Sequence, residues 1–370
     1  MNAYIPWWNV ELGAEAEGAA ARAVRNRNLS MGKLVEEFEC RMADELDISH
    51  IVAVTNGSAA LTLALLEAGI GPGTEVIVPD RTWIATAHAA HMLGAKVVPV
   101  DVEDSLPLLN PDSFSRAVTP RTKAVIPVHL NGRGCNMPRI REIAEQHGIA
   151  VIEDAAQALF SRSAEGGYLG THSRCGCFSL SIPKVVTSGQ GGFIATHDAK
   201  VADRLRRLRT QGTDDVIKAV WVLPGGNFRY TDVLAAIALT QLDKVAERVA
   251  ALRNVYAFYD SALSDSDSLR FYRYTKKEEL PLYSQVLSSD RDDLLHFLAE
   301  RGIQARAFYP ALHTAPYFSL HAKDFENSSQ WDKALFLPCG PNRTSAELTE
   351  TVAAIHSWQK ERVLRHDHSQ

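Results

Sequence analysis

The stretch Ala150-Val-Ile-Glu-Asp154-Ala-Ala-Gln157 decides the fold. It reads as a short β-branched strand closing on two acids, and an acid at the carboxyl end of a parallel strand lies at the edge where open α/β sheets take their ligands. Further short apolar runs stand at Glu75–Val78, Lys96–Val100, Lys123–Val128 and Gly192–Ala195. Helical patterns separate them at Ser58–Ala68, Trp83–Leu93 and Met137–His147. This alternation predicts an α/β domain with a mostly parallel sheet wrapped by helices. The run Ser58–Ala68 is apolar nearly all round, so its helix is expected deep in the domain. The longest helical pattern extends from Asp232 to Leu263. A helix of ~30 residues is about 45 Å long, enough to leave one domain and enter another. The boundary is therefore expected near Ala246, giving a large domain over 1–245, N-terminal arm included, and a small one over 246–370. A strand at Tyr283–Leu287 and helices at Arg291–Arg301 and Ser345–Trp358 make the small domain α+β, and Arg365–Gln370 reads as a loose tail.

Composition narrows the function. Thirty-nine Lys and Arg against 44 Asp and Glu leave a net charge of −5, without the basic excess of a phosphate-backbone binder, so nucleic acid is not an expected partner. With 46% hydrophobic and 22% charged residues, disordered, collagen-like and coiled-coil classes are excluded. Five cysteines with no CxxC pair argue against a disulfide framework and a structural zinc site. No apolar run reaches the ~20 residues of a membrane helix. Residues 1–10 lack the basic and apolar regions of a signal peptide, so the cytoplasm is the expected compartment and no membrane partner is expected.

Three features carry chemistry. Asp154 closes its strand at the ligand edge; read alone, it or Glu153 equally well caps the following turn. Lys184 sits in Phe178-Ser-Leu-Ser-Ile-Pro-Lys184-Val-Val-Thr-Ser-Gly-Gln-Gly-Gly192, among apolar residues and before a glycine-rich turn. Most lysines are solvated surface charges. An amine drawn into an apolar pocket instead loses its proton more easily and attacks carbonyls to form a Schiff base. Asn56-Gly-Ser-Ala-Ala-Leu61 opens the apolar helix, and unpaired amides beside a hydroxyl there make a phosphate seat, although Gly-Ser is also a common cap.

Phosphate seat, acid and Schiff-base lysine in this order resemble the DegT/DnrJ/EryC1/StrS sugar aminotransferases, within the fold type I (aspartate aminotransferase-like) group of pyridoxal-phosphate enzymes. The resemblance spans nearly the whole chain. It includes Gly32–Glu39, Asn56–Leu61, Val78–Thr86, His129-Leu-Asn-Gly132, Ile152–Gln157, Lys184 with its glycines, Gly226-Asn-Phe-Arg229, Tyr309–His313 and Leu337-Pro338. It implies a large domain with a mostly parallel seven-stranded sheet, a smaller C-terminal α+β domain, and pyridoxal 5'-phosphate (PLP) as cofactor.

Residue by residue, Lys184 matches the lysine that bonds the cofactor and moves the substrate proton, and Asp154 the acid paired with the pyridinium nitrogen. Gln157 matches the residue beside the phenolic oxygen, and Trp83 the aromatic stacked on the ring, a position otherwise read as core. Ser58, the Ala59 amide and Ser179 match the phosphate contacts. Asn227 matches the residue that reaches the phosphate of the neighbouring subunit, which implies a homodimer with two shared active sites. The implied reaction moves an amino group from glutamate or glutamine to a keto sugar, nucleotide-linked or not, or to a keto-cyclitol, in amino-sugar, polysaccharide or antibiotic biosynthesis. The run Lys184-Val-Val-Thr-Ser-Gly resembles the cyclitol branch.

Other readings were weighed against it. Relatives with histidine at the lysine position dehydrate sugars; lysine here disfavours that activity. A lyase of the same fold, and a non-catalytic regulatory or binding protein, are the remaining alternatives, the latter having no need to keep Lys184, Asp154 and Gln157 together. His88 and His91, three apart on a helix with no third ligand, read as structural, so no metal is expected. Cys175-Gly-Cys177 belongs on or beside a strand, and Arg204, Arg206, Arg207 and Arg209 read as a solvated helix face. The segment Thr213–Pro224 receives no role.

Overall fold

A computed structural model describes residues 4–215, 217–218, 220–274, 276–318 and 324–367. The larger sheet contains β1 (His50–Val54), β2 (Glu75–Pro79), β3 (Lys96–Val100), β4 (Thr122–Val125), β5 (Ala150–Asp154), β6 (Cys175–Ser179) and β7 (Gly192–Thr196), in the order β1-β7-β6-β5-β4-β2-β3. Strands β6, β5, β4, β2 and β3 run parallel, and β7 is antiparallel to both β6 and β1. Two antiparallel steps return β1 to the direction of β5. The carboxyl ends of β1, β2, β4, β5 and β6 therefore share one edge, with the start of β7. A short ribbon follows, β8 (Thr213–Asp215) with β9 (Val220–Trp221). The second sheet joins β10 (Arg270–Phe271), β11 (Gln285–Leu287), β13 (Ala334–Phe336) and β12 (Arg306–Ala307) in that order, all antiparallel.

The helices are α1 (Ala14–Arg25), α2 (Lys33–Leu46), α3 (Gly57–Glu67), α4 (Ala85–Met92), α5 (Pro111–Ala117), α6 (Met137–His147), α7 (Ala199–Arg209), α8 (Asp232–Leu242), α9 (Val245–Ala262), α10 (Arg291–Glu300), α11 (Glu326–Ser329) and α12 (Ser345–Asp367). Apolar α3 is buried between the sheet, α4 and α7, as its composition predicts. The N-terminal arm lies along the smaller C-terminal α+β region: Ile5 bridges to Ile303 and Trp8 to Cys339. Among the described residues no helix is long and apolar enough to cross a membrane.

Four local expectations are corrected. The helical pattern from Asp232 to Leu263 is two helices, broken at Asp243-Lys244 without glycine or proline. The packing partners change at the break: α8 buries against α1 and α2, whereas Leu252, Val255 and Tyr259 of α9 join the core of the second sheet. The strand expected over Lys123–Val128 stops at Val125, because Pro127 has no N–H to extend the ladder; its carbonyl still accepts from Asp154 N–H at 2.9 Å. The last helix continues beyond Trp358 to Asp367, so 365–367 are helical, while 368–370 of the expected tail lie outside the described residues. Arg209 does not share the solvated face. It is buried, donating to Glu39 at 2.5 Å and to the Ala53 carbonyl at 2.8 Å, because the end of α7 tucks between α2 and β1.

Candidate active site

The loop leaving β1 delivers the start of α3 to the shared strand edge. Asn56 caps the helix, its Oδ1 accepting from Ala59 N–H at 2.8 Å. The seat is close to the sheet because Gly192 has no side chain; a Cβ there would stand 2.5 Å from the Asn56 carbonyl carbon and 2.7 Å from Gly57 N. The glycines after Lys184 thus serve the approach of this helix end. Ser58 is exposed at the first turn, and Ser179 ends β6 opposite Gly57, with its hydroxyl 3.1 Å from that of Ser181. Two hydroxyls and the positive end of a helix face one space, which suits a phosphate.

β5 supplies two acids with opposite tasks, because successive side chains point to opposite faces. Glu153 is fully buried and accepts from His129 Nε2 at 2.7 Å, Gly170 N–H at 2.9 Å, and His172 N–H and Ser173 Oγ, both at 2.8 Å. It anchors the segment 170–173. Asp154 turns the other way, into a cavity of about 820 Å³. Its Oδ2 accepts from Thr86 Oγ1 at 2.8 Å and its Oδ1 from Ala156 N–H at 3.2 Å. Burial raises its pKa from the ordinary carboxylate value, with the hydrogen bonds and Lys184 opposing the rise.

Lys184 lines the same cavity, and burial lowers its pKa from 10.5 to about 8, with Asp154 pulling the other way. Its Nζ lies 3.3 Å from the Tyr283 hydroxyl. The Gln157 amide is oriented by its neighbours: Oε1 accepts from Asn131 N–H at 3.0 Å, and Nε2 donates to the Tyr309 hydroxyl at 3.2 Å. Trp83 is 57% exposed, so it is not a core residue; its ring stands edge-on to Tyr309 at 5.4 Å.

Six of the sequence-derived residues thus line one cavity: Ser58, Trp83, Asp154, Gln157, Ser179 and Lys184. Ala59 does not line it, and its N–H is engaged by Asn56. Asn227 lies outside, at the base of the β8–β9 ribbon, where it bridges to Thr210 and accepts from Arg229 Nε at 3.0 Å. Sequence reasoning missed Trp7, Tyr283 and Arg306, which come to the cavity from the arm and the second sheet. The adjacent tryptophans at 7 and 8 were the one available signal. His88 is engaged by the Tyr317 hydroxyl at 2.7 Å, and Cys175 and Cys177 are buried in β6.

The residues fit PLP on an observation independent of any motif. Asp154 is a buried carboxylate whose charge burial disfavours, and a protonated ring nitrogen beside it would relieve that cost. An amine with a lowered pKa in the same cavity fits the aldehyde, and the hydroxyls at the start of α3 fit the phosphate.

Comparison with known proteins extends over most of the chain. The model of the DegT/DnrJ/EryC1/StrS aminotransferase family matches residues 11–356. The chain is similar to GDP-perosamine synthase of Caulobacter vibrioides, 36% identical over 337 residues, covering 88% of this chain and 90% of that protein. It is similar to dTDP-3-amino-3,4,6-trideoxy-alpha-D-glucose transaminase of Streptomyces venezuelae, 35% identical over 359 residues, covering 94% and 93%. Among solved structures, S. venezuelae DesV in complex with a ketimine intermediate matches with a TM-score of 0.90 at 32% identity, covering 96% of this chain and 99% of that one.

Proposed function

The chain belongs to the DegT/DnrJ/EryC1/StrS aminotransferase family, and on that premise we propose that it transfers an amino group from glutamate or glutamine to a nucleotide-linked keto sugar, at sites shared between two copies of the chain. It is a PLP-dependent aminotransferase of the keto-sugar class. The bound cofactor supplies the electron sink for the carbanion at the substrate carbon. The chain supplies the rest. Lys184 Nζ would hold the cofactor through its aldehyde and would carry the substrate proton. Asp154, held by Thr86 and Ala156, keeps the ring nitrogen protonated. Gln157, its Oε1 held by the Asn131 backbone N–H, would offer an Nε2 proton to the phenolic oxygen. Ser58, Ser179 and the free amides of the first turn of α3 hold the phosphate, and Trp83 covers the ring. Trp7, Tyr309 and Phe336 wall the cavity with aromatic surface.

One observation carries this function: the lysine with a lowered pKa and the buried acid open into one cavity. For the acceptor, Arg306 supports a nucleotide-linked sugar over a keto-cyclitol. Its guanidinium lies over Trp7, 4.2 Å from the ring centroid, at the cavity wall, and it has no carboxylate partner among the described residues. A diphosphate offers it a charge, which a free cyclitol does not; the donor carboxylate offers one too, so the effect of Arg306 on acceptor KM, rather than donor KM, assigns it. The names of both sugar-active relatives agree with this choice.

Borohydride reduction of the yellow protein followed by peptide mapping tests the activity. The label is expected on Lys184, and Lys184→Ala is expected to lose both colour and amine transfer. Label on another peptide, or on none, would overturn the proposal. Product assays with a nucleotide-linked keto sugar and a keto-cyclitol, each with glutamate, separate the acceptor classes. Arg306→Ala is expected to raise KM for the former about tenfold or more, the loss of one charge-assisted contact.

A further inference from the structure

Tyr283 has no part in the catalytic scheme, and Asn131 enters it only through Gln157, yet both stand at its reacting end. The Tyr283 hydroxyl is 3.3 Å from Lys184 Nζ and donates to the Pro183 carbonyl at 3.0 Å. A phenol has one proton and two lone pairs. With the proton committed to Pro183, the oxygen can only accept from the lysine. Burial pushes the phenol pKa well up, so the group remains neutral. It offers the amine a hydrogen bond without the grip of a carboxylate.

Its placement is fixed from the backbone. Asn131 Oδ1 accepts from Tyr283 N–H at 2.7 Å, while its Nδ2 donates to the Tyr283 carbonyl at 3.0 Å and to Gln285 Oε1 at 3.3 Å. The Tyr274 hydroxyl donates to the Asn131 carbonyl at 2.5 Å, and Asn131 N–H holds Gln157 Oε1. Asn131 itself adopts φ 53° and ψ 37°, a left-handed conformation uncommon outside glycine, which this set of bonds over-determines. The rings of Trp7 and Phe336 flank Tyr283 at 5.2 and 5.1 Å.

We propose that Tyr283 is the acceptor that receives the Lys184 amine while it is released from the cofactor, and that Asn131 is the positioning residue that ties this acceptor to Gln157. This rests on Lys184 being the cofactor-bonding amine. Transamination frees that lysine between two half-reactions and needs it back in place for the second. A neutral acceptor 3.3 Å away holds it within reach. One asparagine thereby sets both the donor facing the cofactor oxygen and the resting place of the lysine.

The test is read first without turnover. In cofactor-free protein, the rate of Lys184 acylation by acetic anhydride, followed by peptide mass mapping across pH, gives the ionisation midpoint of the amine. An acceptor favours the ammonium over the amine, so Tyr283→Phe is expected to lower that midpoint by about half to one pH unit. In the loaded enzyme the same variant is expected to keep borohydride-trappable cofactor on Lys184 and to lose about tenfold in kcat with little change in donor KM. Asn131→Ala, which loses the side-chain bonds to Tyr283 and Gln285 but keeps the backbone N–H that holds Gln157, is expected to move the midpoint in the same direction. An unmoved midpoint in Tyr283→Phe with native circular dichroism overturns the proposal, whatever the activity. Trapping that finds the cofactor away from Lys184 overturns it by way of the function beneath, and the cofactor-free measurement tells that failure apart.

Discussion

Lys184 and Asp154 attract one another, yet burial works against the charge of each. For the lysine the sign is definite. Its native pKa is lowered from 10.5 to about 8, so between those values the unfolded chain binds a proton that the native one lacks. The contribution of Lys184 to the stability of the cofactor-free protein is therefore expected to climb as pH rises through this window, against the fall contributed by Cys175, Cys177 and Cys339, whose thiols burial keeps protonated. Below it, the native state bears the full cost of a buried ammonium. Lys184→Met should abolish the climb, and urea denaturation at pH values below and above the window checks it; an identical slope in both proteins would count against a buried amine. At this scale the sequence was informative because Lys184 sits in an apolar run, which is a local property. The same is true of Ser58 at a helix start. Tyr283 and Arg306 gave no such sign, since their meaning comes from a cavity wall built by a sheet that is remote in sequence.

Strand β5 shows how one element serves scaffold and site together. Its alternation gives Glu153 to the anchoring of 170–173 and Asp154 to the cavity, so the capping of the following turn falls to Asp154, weakly through Ala156, while the four hydrogen bonds of Glu153 go to His129, Gly170, His172 and Ser173. Glu153→Ala leaves His129, two amides and a hydroxyl without a buried partner. It is expected to cost about 3–5 kcal/mol of stability in chemical denaturation. A loss under 1 kcal/mol would mean that water replaces the carboxylate. The strands β2, β3, β5 and β7 and the helix α3 were legible because period and composition agree within each. β1, equally long, was not: a glycine stands shortly before each of those strands, whereas only Asp47-Ile-Ser49 separates β1 from α2. The break between α8 and α9 was equally hidden, because a change of packing partner leaves no glycine or proline behind.

At the scale of the whole molecule, six of the eight site residues converge within one chain, and Asn227 does not. It stands at the base of the β8–β9 ribbon, whose Ile217 and Trp221 are 96% and 74% exposed. Large apolar side chains bared together at a ribbon tip suit burial against another protein surface. In a two-fold dimer the same patch is presented by both copies. The proposed sharing of sites makes a prediction that no single-chain arrangement can imitate. Lys184→Ala and Asn227→Ala each remove one ingredient, and in a mixed dimer both defects fall into one site while the other site is whole. Random co-assembly of the two inactive variants should then restore activity to about a quarter of the wild-type value, since half the dimers are mixed and each has one intact site. Single-turnover assay of the co-expressed mixture measures it, and the mixed dimer purified through separable tags should give about half. If Asn227 served its own chain, every chain in the mixture would carry a damaged site, and activity would stay at the level of the single variants.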